Sequence, residues 1–146
     1  GSLVIQDALI AETHVHISSD GYAEVSSSDI YMENRTEPFL YNSGTTFFSA
    51  SNVLGESQVL NFATGILDMS NTLFGGSSLL RSSVDGTIEL SKMKYHKGIH
   101  DPLNMTGKVI LRDLNKTYSM EFVKKTNFSL SAYYPTDFTS FIHTMH

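Results

Sequence analysis

Two stretches of the sequence share one pattern and decide the fold: Gly65-Ile66-Leu67-Asp68-Met69-Ser70 and Gly86-Thr87-Ile88-Glu89-Leu90-Ser91. In both, apolar residues alternate with polar ones, which is the pattern of a β-strand with one buried face. The second stretch begins 21 residues after the first. A spacing of this length indicates that one short structural unit is used repeatedly.

The same period runs through a longer part of the chain. Glycines mark it at intervals of 21 residues, and three further columns follow them: Gly44, Gly65, Gly86, Gly107; Thr46, Leu67, Ile88, Val109; Phe48, Met69, Leu90, Leu111; and Ser49, Ser70, Ser91, Arg112. We expect the glycines where the backbone needs a positive φ or where successive turns approach closely. The serines should lie near a corner, where a small side chain lets the chain bend.

Towards the N-terminus the period is less regular. A constant 21-residue spacing places Val25 in the column of Thr46 and Ser28 in the column of Ser49. A second apolar anchor recurs with a variation of one residue, as a loop of variable length would produce: Phe39, Leu60, and Leu79 or Leu80.

These repeats predict an all-β fold. A helical repeat needs roughly 30 residues or more and a propeller blade about 40, whereas the segments between these strands are rich in Gly, Ser and Asn. We therefore predict a parallel β-solenoid (β-helix) of about 5–6 coils, with equivalent residues stacked about 4.8 Å apart. Leu67, Ile88 and Val109 should then be neighbours on parallel strands. The alternative is an antiparallel β-sandwich, which also has short alternating strands.

The coils resemble those of the right-handed parallel β-helix, or pectin-lyase-like, superfamily. The similarity is clearest in residues 83–91 and 63–71 and extends over roughly 22–115. It implies the fold and an extracellular, cell-surface or virion-surface location. The superfamily includes polysaccharide lyases and hydrolases, phage tailspikes and large surface proteins, so the function has to be argued from a site.

The pattern divides the chain into three parts. Gly1-Ser2 without a Met is typical of a cloning scar, so we expect a piece of a longer protein with adjacent domains. Residues 3–117 should form the solenoid. Residues 118–146 hold 7 of the 16 aromatic residues and should form a C-terminal cap or a distorted last coil. Within them Tyr133 and Tyr134 are candidates for binding a sugar or a partner protein.

Composition excludes several functions. The 146 residues contain no Cys, which removes thiol chemistry and cysteine-based metal sites. The net charge is −5 and no Lys/Arg cluster occurs, which argues against nucleic acid and anionic membranes as partners. No apolar run approaches the roughly 20 residues needed to cross a bilayer.

Asp68 and Glu89 are the main candidates for a site. They occupy the same position of successive repeats, so both should point outward about 5 Å apart. Such a pair could bind calcium or perform acid/base chemistry on a sugar. The alternative is two solvated acids balanced by Lys92 or Arg112. The eight Asp residues form no further cluster of the kind that polysaccharide lyases or hydrolases require, so we do not expect an enzyme.

Two other motifs have weaker implications. His14-Val15-His16 would place two imidazoles on one face of a strand, but two ligands are too few for a zinc or copper site. N-x-[ST] sequons begin at Asn34, Asn104, Asn115 and Asn127 and would be glycosylated in a secreted eukaryotic protein.

The sequence favours a non-enzymatic β-solenoid module of a large secreted, cell-surface or virion-surface protein. It would act as a rigid spacer or adhesin segment and bind a glycan or a protein partner, without a required cofactor. The alternative is a fragment of a carbohydrate-active β-helix enzyme or phage tailspike.

Overall fold

The computed structural model describes residues 2–34, 36–75, 78–95, 103–112 and 117–128, which contain sixteen β-strands and no helix. The strands are β1 (Ser2–Gln6), β2 (Leu9–Ala11), β3 (Val15–Ile17), β4 (Tyr22–Ser26), β5 (Asp29–Met32), β6 (Leu40–Asn42), β7 (Thr45–Ser49), β8 (Asn52–Gly55), β9 (Gln58–Asn61), β10 (Ile66–Ser70), β11 (Leu73–Phe74), β12 (Leu79–Ser82), β13 (Thr87–Ser91), β14 (Lys94–Tyr95), β15 (Leu103–Arg112) and β16 (Thr117–Phe128).

Every third strand pairs in parallel with its counterpart in the next turn, which gives three stacks of strands. We call them the first face (β1, β4, β7, β10, β13), the second face (β2, β5, β8, β11, β14) and the third face (β3, β6, β9, β12). The chain is therefore a parallel β-solenoid of about 4 turns with a period near 21 residues, slightly fewer turns than expected. The parallel pairing rules out the antiparallel sandwich. Among the described residues no helix is long and apolar enough to span a membrane.

The core columns of the first face have the predicted register. Leu67 pairs with Ile88, and Ile88 with Val109, on adjacent parallel strands. Thr46 lies in the same column beside Leu67, and all four side chains are 0% exposed. The Thr46 hydroxyl is satisfied because it donates to Asn42 Oδ1 over 2.8 Å. The alternation in the sequence thus corresponds to one buried and one solvent-facing side of the strand.

The serine column lies at the corner between the first and second faces. Ser49, Ser70 and Ser91 are in register and are partly buried. The residue after each serine turns the chain with a positive φ: Ala50 (49°), Asn71 (47°) and Lys92 (50°). A left-handed backbone at a non-glycine residue is uncommon, so stacking of the coils imposes this bend against local preference.

Most glycines of the repeated column do not adopt the positive φ of a tight turn. Of its four members only Gly107 has a positive φ. At Gly44 an added Cβ would collide with the carbonyl oxygens of Ser18 and Gly21. The N–H of Thr45 also donates to the Gly21 carbonyl, over 3.1 Å. Close approach between turns, rather than a special dihedral angle, therefore explains the glycine at position 44.

Two buried asparagines join successive turns at the corner between the third and first faces. Asn42 and Asn61 are 0% and 1% exposed and are in register on the third face. Asn42 Nδ2 donates to Asn61 Oδ1 over 2.9 Å and to the Ile66 carbonyl over 2.9 Å. Asn61 Nδ2 donates to the Gly65 carbonyl over 2.8 Å. Buried amide side chains thus add hydrogen bonds between successive turns.

The predicted register is wrong in the N-terminal part. Tyr22 pairs with Thr45, so this turn is two residues longer than the 21-residue period, and Ala23 rather than Val25 lies beside Thr46. Ser26 rather than Ser28 accordingly lies beside Ser49.

Unequal corner segments cause the shift. Segment 33–39 joins β5 to β6, whereas only residues 56–57 join β8 to β9; the segment after β6 (43–44) is in turn shorter than the one after β9 (62–65). The anchor on the third face was misplaced for the same reason. Its buried column is Leu40, Val59 and Leu80, whereas the predicted column contained Phe39 and Leu60.

The parallel winding ends at β15. Its first part pairs with β12 and its second part with β13, so one long strand joins the third face to the first. β16 then pairs with β15 in antiparallel orientation and occupies the edge on which another coil would stack. An open strand edge invites unwanted pairing, and β16 covers this one. The cap expected from residue 118 onward stays a prediction. Residues 129–146 of the expected cap lie outside the described residues.

Candidate functional site

The acid pair, Asp68 and Glu89, lies on the solvent side of the first face. The two residues are in direct register on β10 and β13, as predicted. Their column continues to Phe47 on one side and to Ile110 on the other. Both carboxylates are partly buried, so the pair is a local acidic spot between apolar neighbours rather than the start of an acidic groove.

The environment favours the protonated form of Asp68. Partial burial is the main cause that raises the pKa of Asp68, followed by the negative charge of Glu89 and a hydrogen bond with it. Arg112 opposes this shift, and its Nη2 lies 3.4 Å from Glu89 Oε1. The cation proposed from the sequence as a balance for the pair is therefore Arg112, while the nearby Lys92 makes no ion pair in the described part of the chain.

What the pair can do chemically follows from its size. Two carboxylates supply few of the six to eight oxygen ligands that calcium prefers. The described residues contain no group of three or more His, Cys, Asp or Glu placed to hold a metal ion. Calcium binding at Asp68 and Glu89 stays a prediction, as does acid/base chemistry.

A second feature lies on the third face, where aromatic side chains contact one another across three turns. This aromatic ladder consists of His16, Tyr41 and Phe62. The rings of His16 and Tyr41 have centroids 4.8 Å apart, and those of Tyr41 and Phe62 are 5.0 Å apart and tilted by only 8°. Phe62 is 41% exposed, so the ladder presents ring surface to solvent. A contiguous patch of exposed aromatic surface is a candidate binding surface.

A groove of about 300 Å³ continues from the ladder. Phe62 and Arg81 line it, together with Leu60, Ser83 and Thr106 among others. Arg81 follows Leu60 in the strand register, and Leu60 follows Tyr41. The third face thus carries a continuous row of aromatic, apolar and cationic groups along the solenoid axis.

The repeat in the sequence did not single out this row, for a physical reason. Solvent-facing positions have no packing requirement, so their residue types vary from turn to turn. Tyr41 and Phe62 do stand 21 residues apart. Strand pairing nevertheless does not place them side by side, because Tyr41 pairs with Leu60 and Phe62 lies just beyond the end of β9.

The two histidines of the His14-Val15-His16 motif have different partners. His14 Nδ1 lies 2.8 Å from the Pro38 carbonyl, and its Nε2 lies 3.4 Å from Glu37 Oε2. His16 instead packs on Tyr41. Both residues are exposed, and their contacts do not bring the two imidazoles onto one shared partner.

The remaining candidates are mostly outside the described residues. Tyr133, Tyr134 and Asn115 lie there entirely, so the binding and glycosylation hypotheses for them stay predictions. Asn104 and Asn127 oppose each other in the β15–β16 pair. Asn34 is exposed, and its Oδ1 accepts a hydrogen bond from the Thr36 hydroxyl over 2.6 Å.

Comparison of the chain with protein-family models, with curated proteins and with solved structures gives no significant match. What the structure itself establishes is a parallel β-solenoid arrangement, consistent with a parallel β-helix.

Proposed function

We propose that this chain is a non-enzymatic β-solenoid module of a secreted, cell-surface or virion-surface protein, and that it binds a glycan through the aromatic ladder of its third face. The observation that carries the proposal is the row of ring contacts across successive turns, in which His16 packs on Tyr41 and Tyr41 stacks on Phe62. Such a row matches an extended ligand with a repeating unit, since each turn advances by about 4.8 Å.

The physical basis for sugar binding is the exposed ring surface. The face of an aromatic ring carries partial negative charge and attracts the weakly positive C–H groups on the flat side of a sugar ring. A ring that is already stacked on a neighbour has little freedom left to lose on binding. The Tyr41–Phe62 stack is therefore preorganised, in agreement with a binding role.

Membership of the pectin-lyase-like superfamily is part of this proposal. It is supported by the coil pattern in residues 63–71 and 83–91 and by the parallel winding. Members of such a family often belong to larger surface proteins, in which a solenoid spaces other domains. Adjacent domains of a longer parent protein would then be its neighbours.

Glycan-array binding tests the proposal with matched variants. We expect Tyr41→Ala and Phe62→Ala each to weaken binding by about tenfold or more, because central aromatic anchors dominate such interfaces. The control is Tyr31→Ala on the second face, which removes a 48% exposed tyrosine outside the ladder. Equal losses in Tyr31→Ala and Tyr41→Ala, or no glycan bound by the wild type, would contradict the proposal.

The second candidate function is a carbohydrate-active enzyme fragment, favoured by the acid pair. Hydrolysis of a glycosidic bond uses two carboxyl groups, one protonated and one ionised, and the raised pKa of Asp68 beside Glu89 suits that division of roles. Release of reducing ends from a polysaccharide panel, with and without added calcium, tests this candidate. Activity that disappears in Asp68→Asn and Glu89→Gln, but survives in Tyr31→Ala, would favour the enzyme over the binding module.

A further inference from the structure

The solvent side of the first face carries a cluster of apolar side chains. Tyr22, Phe47 and Ile66 are 36%, 37% and 42% exposed, and we call them the first-face patch. The rings of Tyr22 and Phe47 have centroids 5.6 Å apart. Ile66 is the diagonal neighbour of Phe47, because its register partner is Thr45, two residues before Phe47. A contiguous apolar patch on the solvent side of a sheet marks a candidate surface for contact with another protein.

Acids border the patch on both sides along the solenoid axis. Phe47 has two register partners, Glu24 on β4 and Asp68 on β10. The Glu24 carboxylate is held beside the patch, because its Oε1 accepts a hydrogen bond from the Tyr22 hydroxyl over 2.6 Å. Neither acid takes part in an ion pair among the described residues. The patch therefore has a negative rim.

The charge around the patch is not balanced within its own strands. The strands β4, β7 and β10 contain Glu24 and Asp68 but no Lys or Arg. Partial burial and the neighbouring Glu89 raise the pKa of Asp68, and Arg112 offsets only part of this rise. Ionised Asp68 is therefore held at a cost in free energy, which a cation brought by a partner would reduce. The surface is complementary to a group that is apolar in the middle and positive at both ends.

Charge also decides between a second copy of this chain and a different protein. Two copies that met through this patch would place the acids of one copy against the acids of the other, since a two-fold interface uses identical surfaces. Like charges brought together in this way lower affinity. A partner with basic groups around an apolar centre gains both kinds of contact instead.

The spacing of the two acids indicates the shape of the partner. Glu24 and Asp68 are two strands apart, so their Cα atoms are separated by about 10 Å along the solenoid axis. In an α-helix seven residues advance about 10.5 Å and complete nearly two turns, so residues i and i+7 lie on one face at this separation. Residues i+3 and i+4 lie between them on the same face, where they would meet Phe47. An extended strand matches less well, because its same-face residues are about 6.7 or 13 Å apart.

We propose that the first-face patch binds an amphipathic helix of a partner protein, with Lys or Arg at positions i and i+7 and apolar residues at i+3 and i+4. The apolar side chains pack on Phe47 and Ile66, and the two cations pair with Glu24 and Asp68. This surface is separate from the aromatic ladder of the third face, so the inference does not depend on glycan binding.

Fluorescence anisotropy with labelled synthetic helices of about 20 residues tests the proposal. The first probe has Lys at i and i+7 and Leu at i+3 and i+4. The second probe has Glu in place of both Lys, and the third keeps the composition of the first but moves both Lys to the opposite face. We expect the wild type to bind the first probe about tenfold more tightly than either of the others at low salt.

Variants of the surface locate the binding. Phe47→Ala should weaken binding of the first probe about tenfold, whereas Tyr31→Ala, which removes a 48% exposed tyrosine of the second face, should not. Asp68→Asn should weaken it severalfold, and Asp85→Asn, which removes the same charge from an exposed turn, should not. Glu24→Lys combined with Asp68→Lys should reverse the preference, so that the second probe binds more tightly than the first.

Circular dichroism and thermal unfolding check that each variant is folded. If the double lysine variant is not folded, Glu24→Gln combined with Asp68→Asn replaces it and should bring the affinities for the first and second probes close to each other.

Three results would overturn the proposal. Equal binding of the three probes by the wild type, or binding of none, would show that the patch does not recognise their pattern. Equal losses in Asp68→Asn and Asp85→Asn would show that only the net charge of −5 attracts the basic peptide. A wild-type dimer in sedimentation equilibrium that dissociates in Phe47→Ala would assign the patch to a second copy of the chain.

Discussion

Asn42 and Asn61 form a direct amide–amide hydrogen bond between two turns, with Asn42 Nδ2 donating to Asn61 Oδ1 over 2.9 Å. Both amides are buried, and each also donates to a backbone carbonyl: Ile66 for Asn42 and Gly65 for Asn61. The hydrogen bonds of one turn therefore depend on the side chain of the next. Loss of one amide therefore removes hydrogen bonds from two turns.

Asn61→Ala should accordingly lower the free energy of unfolding by about 1–3 kcal/mol, since two buried hydrogen bonds, to Asn42 Nδ2 and to the Gly65 carbonyl, are lost. Urea unfolding followed by circular dichroism measures the change. Asn52→Ala is the control, because Asn52 Nδ2 also bonds to the adjacent turn, at Asp29 Oδ1, but in an exposed position. A loss in Asn61→Ala no larger than in Asn52→Ala would show that burial of the amides contributes little.

Ala50→Asn should stabilise the fold by about 0.5–1 kcal/mol. Ala50 is exposed and has a φ of 49°, a conformation that asparagine tolerates better than alanine, and the equivalent corner in the next turn already has Asn71. The thermal midpoint reports the effect. Ala11→Asn, at an exposed position in β2 without a positive φ, should give no such gain. Equal effects in the two variants would contradict the role of the dihedral angle.

Gly44→Ala should be destabilising by about 1–3 kcal/mol, because the new Cβ would meet backbone carbonyls of the preceding turn, which are held in place by their hydrogen bonds. Gly75→Ala is the matched comparison. There the nearest atom to the new Cβ is Leu54 Cδ2 at 2.9 Å, the end of a flexible side chain that can move. The free energy of unfolding of Gly44→Ala, measured by chemical denaturation, should be well below that of Gly75→Ala. The reverse order would refute the close-approach explanation.

Asp68→Asn should raise stability at neutral pH and have no such effect in acid. The raised pKa means that the folded state holds the Asp68 proton more tightly than the unfolded state does. In the unfolded state the pKa of Asp68 has its ordinary value, 3.8. The stability linked to this proton is thus present below 3.8 and is lost as the pH rises through the folded-state pKa. Unfolding measured as a function of pH should show the two proteins diverging over that window.

Two further variants check this explanation. Arg112→Gln removes the cation that opposes the shift, so its stability should fall more steeply with rising pH than that of the wild type. Asp85→Asn removes one negative charge from an exposed turn and controls for net charge. A pH-independent gain in Asp68→Asn would mean that the acid pair is not the cause.

The fold was predictable where packing repeats. Leu67 and Ile88 must fill equivalent places in the core, so their spacing in the sequence equals the pairing of their strands. The corner segments were not predictable, since nothing in the core fixes their length. A two-residue difference in the turn that begins at Tyr22 was enough to misplace Val25 and Ser28.

The candidate site divides in the same way. The adjacency of Asp68 and Glu89 followed from the repeat, because both stand between core residues on well-aligned strands. The contact of Tyr41 with Phe62 did not follow, since it joins a strand position to a residue beyond a strand end. Arg81 Nε has no hydrogen-bond partner among the described residues. This follows from the three-dimensional packing around the side chain, which the spacing of residues in the sequence does not reveal.

The longer segment 33–39 has a consequence for how such a protein changes over evolution. The strands before and after it, β5 and β6, remain in register with β8 and β9 despite the difference in length. Closing a longer loop costs little free energy, about 0.6 kcal/mol for each doubling. Insertions should therefore accumulate at this corner while the strands stay constant, and a foreign peptide grafted there would be displayed at a fixed height along the solenoid.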